Sequence, residues 1–215
     1  MINSLKIKEI YNKRAALYDK LLSKLRYHTT LKSILGLIKL EIPQNAKILD
    51  MGCGTGLATE VLIKRFISSK ITGLDCSEEM LSLYQKKFPD VNVIIGDFNK
   101  KQNFSLFVSR KPIFIEPNSF DLIVSTGAVS EYGNVEKVIP FIYSILKNKG
   151  IFINIGIKKN VMSLVTGKIW HYKAVGKKEF ISVCKNNGFS KIYSMKISWN
   201  HFPTNITKFA IKTEK

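Results

Sequence analysis

Acidic side chains are scarce in this chain. Its 215 residues hold 34 Lys and Arg against 16 Asp and Glu, a formal net charge of +18. Arginine is scarcer still: Arg14, Arg26, Arg65 and Arg110 are the only four, and the other 30 cations are lysines. That shortage argues against specific reading of nucleic-acid bases, which favours the forked guanidinium. Only three cysteines occur, Cys53, Cys76 and Cys184. They are too few and too scattered for a disulfide framework or a zinc site, so no metal is expected. No apolar run approaches the ~18 residues that suggest a membrane span. The first residues are charged early and lack the apolar core of a signal peptide. Internal repeats, low-complexity tracts and long linkers are all missing. Together these absences predict a reduced, cytoplasmic protein.

What is present fits one globular domain. Hydrophobic residues make up 45% of the chain and charged residues 23%, an ordinary balance. The charge is uneven: residues 1–45 carry net +6, residues 46–157 only +2, and residues 158–215 +10. A nearly neutral core between basic flanks suits either an anionic partner at the flanks or a lysine-rich solvated surface. The expected organisation is one domain in three stretches: a basic N-terminal stretch (1–45), a nearly neutral core (46–157) and a basic C-terminal stretch (158–215).

Residues 4–26 show apolar side chains at helical spacing, and a second helix is predicted over 29–40, before Pro43. From Ala46 strands and helices alternate. Strands are predicted at 46–51, 70–75, 91–96, 120–125 and 151–157. Helices are predicted near 56–67, 77–88 and 134–147. Residues 97–118 read as a long excursion, and 158–175 as a basic, aromatic segment. A helix near 177–187 and two closing strands, 190–198 and 205–213, complete the pattern. Alternation of this kind implies a parallel sheet with right-handed crossovers, and ligands bind beyond the carboxyl ends of its strands.

The densest signal lies at one such strand end. Ile48-Leu49-Asp50 runs into Met51-Gly52-Cys53-Gly54-Thr55-Gly56, and the next strand ends in Asp75. Glycines let a ligand approach the backbone, and a carboxylate on the neighbouring strand can accept both ribose hydroxyls. A dinucleotide fingerprint would need glycine at position 57, which is Leu57. Asp50, just before the turn, would repel a phosphate and suits a cationic ligand.

These features resemble the class I S-adenosylmethionine-dependent methyltransferases, in particular the type 11 small-molecule group. The resemblance runs from about Tyr11 to Lys149. It rests on Ile48–Gly56, Leu74–Leu81, Ile95–Phe98, Phe120–Val124 and Leu146–Gly150, in family order. It implies a doubly wound α/β, Rossmann-like sheet of seven mostly parallel strands, capped by the N-terminal helices and 158–175. The implied cofactor is S-adenosylmethionine, with S-adenosylhomocysteine as product. Asp50 and the backbone of Gly52, Cys53, Gly54 and Gly56 would cradle its methionine part. Asp75, with Cys76 beside it, would take the ribose, and Met80 would pack on the adenine. Asp97 would accept from the adenine amino group beside Phe98. Ser125, Thr126 and Gly127 would line the sulfonium side, while Tyr11 and Tyr18 would form an aromatic lid.

A base is needed only if the acceptor must lose a proton. Glu131 and His171 are the candidates, although many type 11 sequences carry histidine near position 131. The motifs of exocyclic-amine, pyrimidine C5 and ribose 2′-hydroxyl methylation are all missing. The expected acceptor is a small or lipid-like, anionic molecule met by Trp170, Tyr172, Phe180 and the lysines at 168, 173, 177 and 178. The alternatives are an RNA-directed enzyme, with lysines and Trp170, Tyr172, Tyr193 and Trp199 on phosphates and bases, or contact with an anionic membrane surface. A cofactor-binding protein without activity is a third reading.

Overall fold

The structure is a computed structural model that describes residues 9, 12, 27–100, 103–198, 200, 202 and 204–215. The predicted helix over 4–26, with Tyr11 and Tyr18, lies outside the described residues apart from Glu9 and Asn12.

Among the described residues nine strands form one sheet: β1 (Lys47–Met51), β2 (Lys70–Asp75), β3 (Asn92–Ile95), β4 (Phe104–Leu106), β5 (Pro112–Ile113), β6 (Phe120–Thr126), β7 (Leu146–Ile157), β8 (Lys191–Met195) and β9 (Lys208–Glu214). The order across the sheet is β5-β4-β3-β2-β1-β6-β7-β9-β8. β1 pairs in parallel with both β2 and β6, β2 with β3, and β6 with β7. The strands added at both edges are antiparallel. The expected doubly wound sheet is present, with nine strands among the described residues where seven were expected. The 97–118 excursion folds back as the short pair β4 and β5, whose aromatic and Pro-rich sequence carries no clean alternation.

The helices are α1 (Tyr27–Leu37), α2 (Leu57–Arg65), α3 (Glu78–Lys87), α4 (Val129–Tyr132), α5 (Val135–Ile145), α6 (Val161–Trp170), α7 (Lys177–Asn186) and α8 (Thr204–Thr207). Side chains alternate across a strand, so each central strand feeds two cores. Ile48, Leu122, Val124 and Ile153 pack with α1 and α2. Leu49, Ile123 and Phe152 pack on the opposite face with Val138 and Ile142 of α5 and Phe180 of α7. The Arg65 guanidinium donates to the carbonyls of Leu35 and Ile38, tying α2 to the open end of α1. In the segment 158–175, Asn160 and Ser163 form a reciprocal cap that starts α6. None of the helices among the described residues is long and apolar enough to cross a membrane.

Candidate active site

The carboxyl ends of β1, β2, β3 and β6 bring the glycine turn, Asp75, Asp97 and Gly127 to one edge of the sheet. The turn is held in a conformation that side chains resist: Gly52, Gly54 and Gly56 have φ of +76°, +52° and +87°. Gly52 N and Cys53 N both donate to Leu74 O, at 2.8 and 3.0 Å, which stitches the turn to β2. A Cβ on Gly52 would stand 2.2 Å from Ala128 Cβ, while beside Gly54 there is open space. Gly52 therefore permits close packing of the turn on the end of β6, and Gly54 leaves room for a ligand. Gly52→Ala is expected to cost about 2–4 kcal/mol, from the left-handed backbone and the overpacked contact together. Thermal denaturation beside the parent protein measures it, and an unchanged melting temperature would contradict this account.

Three carboxylates surround the turn. Asp50 is fully buried, and its Oδ2 accepts from Thr59 Oγ1 at 2.7 Å. Thr59 Oγ1 also lies 2.9 Å from the Tyr84 hydroxyl, which can donate to it and complete a relay. Asp50 Oδ1 is buried with no hydrogen-bond partner among the described residues. Burial pushes the Asp50 pKa up from 3.8 to about 7, opposed by the Thr59 hydrogen bonds, with Asp75 adding to the rise.

Asp75 accepts from Ser77 N on Oδ1 and from Gly54 N on Oδ2, both at 2.9 Å. Desolvation raises its pKa, while these bonds and the Cys76 N–H pull it down. Asp97 Oδ1 accepts from the Asn99 backbone and side-chain N–H groups at 2.9 and 3.0 Å, and its Oδ2 is buried without a partner among the described residues.

The other sequence candidates divide. Met80 is fully buried, with its N–H on Ser77 Oγ at 3.2 Å. Ser77 Oγ donates in turn to Asn12 Oδ1 at 2.6 Å. Phe98 is buried in the core near Gly52. Cys53 is buried against Leu81, Tyr84 and Val93, which turns its side chain away from any ligand, and Cys76 is half-buried. Ser125 is fully buried and its Oγ accepts from Val129 N at 3.1 Å, starting α4. Thr126 is half-buried, and Gly127, with φ of +74°, donates its N–H to Ile155 O at 2.9 Å.

The two candidate bases are placed in different surroundings. Both Glu131 oxygens are engaged: Oε1 accepts from Ile157 N at 2.7 Å and Oε2 from Ser130 Oγ at 2.8 Å. Lys208 Nζ lies 3.8 Å from Oε1. Burial raises the Glu131 pKa, against the pull of Lys208 and these hydrogen bonds. His171 is exposed and ends α6 in a left-handed conformation, φ 52°. Two of the aromatics expected to meet the acceptor are also taken up internally. Phe180 is fully buried between Phe152 and Phe209, and Tyr172 is buried edge-on against Tyr132. Of the remaining aromatics, Tyr193 is exposed, whereas Trp199 lies outside the described residues.

Thr59, Asn99 and Lys208 were not singled out from the sequence. Asn99 had a usable signal, since an Asx residue two positions after Asp97 can bond back to it. Thr59 and Lys208 reach the site only through packing.

Comparison with known proteins shows the family. A model of the methyltransferase domain family matches residues 42–206. The chain belongs to that family. Malonyl-[acyl-carrier protein] O-methyltransferase of Priestia megaterium is 29% identical over 157 residues, covering 70% of this chain and 50% of that protein. The chain spans about half the length of the curated relatives it matches. A chain in the complex between the Haloferax volcanii Trm112 methyltransferase activator and a methyltransferase has a TM-score of 0.74 at 18% identity, over 95% of this chain and 96% of that one. Haemonchus contortus phosphoethanolamine N-methyltransferase 2, solved with S-adenosyl-L-methionine, has a TM-score of 0.65 at 16% identity, over 87% and 52%. The family's cofactor, S-adenosylmethionine, suits the site on the chain's own evidence. Asp50 Oδ1 and Asp97 Oδ2 are buried acceptors that lack donors among the described residues. A ligand bearing an ammonium at one end and an aromatic amine at the other would supply both.

Proposed function

We propose that the protein transfers a methyl group from S-adenosylmethionine to a small or lipid-like anionic acceptor. The observation that carries the cofactor half is the pair of unpartnered carboxylate oxygens, on Asp50 and Asp97, flanking a glycine turn open at Gly54. When bound, S-adenosylmethionine offers a methyl on a positive sulfur, which keeps the S–C electron pair and leaves as a neutral thioether.

In this reading Asp50 holds the ammonium of the methionine part against the backbone of Gly52–Gly56. The Asp75 oxygens, already aligned by Gly54 N and Ser77 N, accept the ribose hydroxyls with their remaining lone pairs. Asp97 Oδ2 accepts from the adenine amino group, with Met80 and Phe98 beside the ring. Ser125, Thr126 and Gly127 line the side from which the methyl departs. Cys53 and Cys76 contribute backbone rather than thiols. Glu131 acts as a positioning residue, because its oxygens bind α4 to the end of β7.

An acceptor that arrives already ionised loses no proton when it attacks, so position and water exclusion can supply most of the acceleration. That fits a site in which Glu131 is saturated and His171 is exposed. The name of one relative points the same way, since a malonyl group carries a carboxylate.

The test uses methyl-labelled S-adenosylmethionine with an extract of the source cells, fractionated into lipid, RNA, protein and small-molecule pools. Asp75→Ala serves as the control. Label in the small-molecule or lipid pool, lost in the control, is the expected result. Label in RNA would replace this reading with the RNA-directed one.

A further inference from the structure

At the carboxyl edge of β7, a cavity of about 380 Å³ opens between the ends of β8 and β9 and α8. Four lysines line it: Lys158, Lys177, Lys196 and Lys208. No carboxylate is among its described lining residues. Like charges gathered around one concavity repel one another, and a bound anion relieves that repulsion.

Two details distinguish this cavity from a solvated lysine surface. Lys208 is not a surface residue, since its side chain is only 15% exposed. Its Nζ lies 5.0 Å from the Tyr27 ring centroid and 3.8 Å from Glu131 Oε1, the carboxylate that partly balances it from behind. Burial lowers the Lys208 pKa, and Glu131 opposes that shift. Asn205, also on the wall, is buried with its Oδ1 unpartnered among the described residues. The Lys158 ammonium is already oriented by its 2.6 Å bond to Asn205 O. Asn205 Oδ1 is an acceptor, so a water or a protonated ligand oxygen satisfies it, while the lysine ammoniums face the anionic charge.

Lys208 also joins the cavity to the methyl-transfer edge. Its Nζ is 3.7 Å from where a Cβ on Gly127 would stand. We propose that this cavity is the subsite for the anionic group of the acceptor, a carboxylate or a phosphate, held a few ångströms from Gly127. The proposal rests on the methyl-transfer reading for the word acceptor, while anion binding stands without it. Met195, Ile197, Ile206 and Phe209 on the same wall suit an apolar stem next to the charged group.

Isothermal titration calorimetry in low-salt buffer tests it, with malonate as the carboxylate probe and pyrophosphate as the phosphate probe. One or both are expected to bind, and the tighter probe names the class of anion. A Lys177→Met/Lys196→Met double variant removes two exposed cations at little risk to folding. It is expected to bind the preferred probe about tenfold more weakly, in the range of a lost charge-assisted hydrogen bond. Lys208→Met is expected to lose more, with its fold checked by thermal denaturation because it strands Glu131. S-adenosylhomocysteine should bind the double variant as it binds the parent. Failure of the parent to bind S-adenosylhomocysteine would remove the cofactor reading and leave the anion result interpretable. The proposal is overturned if neither probe binds, or if the double variant binds them unchanged. It is also overturned if a short RNA, but neither probe, binds in a manner that depends on these lysines.

Discussion

Asp75→Ala is expected to weaken S-adenosylhomocysteine binding by at least about a hundredfold. Two effects combine. The carboxylate would no longer accept from the ribose, and a hydrogen bond to a charged group contributes about 1.5–3 kcal/mol. The second effect is on the protein itself. Asp75 spans the glycine turn and the start of α3, taking Gly54 N on one oxygen and Ser77 N on the other. Without it both N–H groups lose their acceptor, and Gly54 is released at the point where the turn is open to a ligand. The variant is therefore expected to lose about 1–3 kcal/mol of stability as well. Calorimetry gives the affinity and thermal denaturation the stability. Affinity within threefold of the parent would show that Asp75 does not serve the ribose.

The second large effect is one of opposite signs. Asp50→Asn is expected to stabilise the ligand-free protein at pH 8 and to weaken cofactor binding at the same pH. Burial lifts the folded-state pKa of Asp50 from 3.8 to about 7. Between those values the native state holds a proton that the unfolded state has released, so stability from this group falls as pH rises. Above pH 7 the full cost is present, on the order of 4 kcal/mol for a shift of this size. Asparagine keeps an acceptor for Thr59 and cannot ionise, which removes the cost. The same ionised group is what a ligand ammonium needs. Parent affinity for S-adenosylhomocysteine is therefore expected to fall from pH 8 to pH 6, and the Asn variant to lose most of that dependence. A melting temperature at pH 8 no higher than the parent's would refute the assignment. If Asp50 holds the ligand ammonium, its buried charge at the end of β1 is a case of a site held at the expense of fold stability.

The likeness of this site to a cofactor cradle was legible because its determinants are local. Strand ends, turn glycines and the carboxylate that closes the turn lie within Ile48–Asp75, and alternation sets their places. The same holds for Asp97 and for the run Ser125–Gly127 at the end of β6. The excursion after Asp97 was not legible as β4 and β5. Both strands are very short, at Phe104–Leu106 and Pro112–Ile113, and they exist because the open edge of β3 accepts them. Glu131 illustrates the other kind of gap. Its position after β6 suggested a base, yet Ile157, Ser130 and Lys208 converge on it from three parts of the chain. Phe180 likewise follows two lysines that suggested contact with the acceptor, and the packing of α7 on the sheet places it in the core.

The sequence by itself determined the parallel α/β core, the strand ends that share one edge of the sheet and the residues of the glycine turn. Those properties follow from hydrophobic periodicity and from φ angles that only glycine adopts easily, and both act over a few residues. The tertiary structure alone decided which polar groups are satisfied and which are left open. Thr59, met by Tyr84 from α3, occupies one oxygen of Asp50 and leaves the other without a described partner, and Ile157 fills one oxygen of Glu131 from the end of β7. It also gathered Lys158, Lys177, Lys196 and Lys208 around one cavity. Burial and long-range hydrogen bonding depend on segments far apart in the chain, so spacing along the sequence carries no record of them.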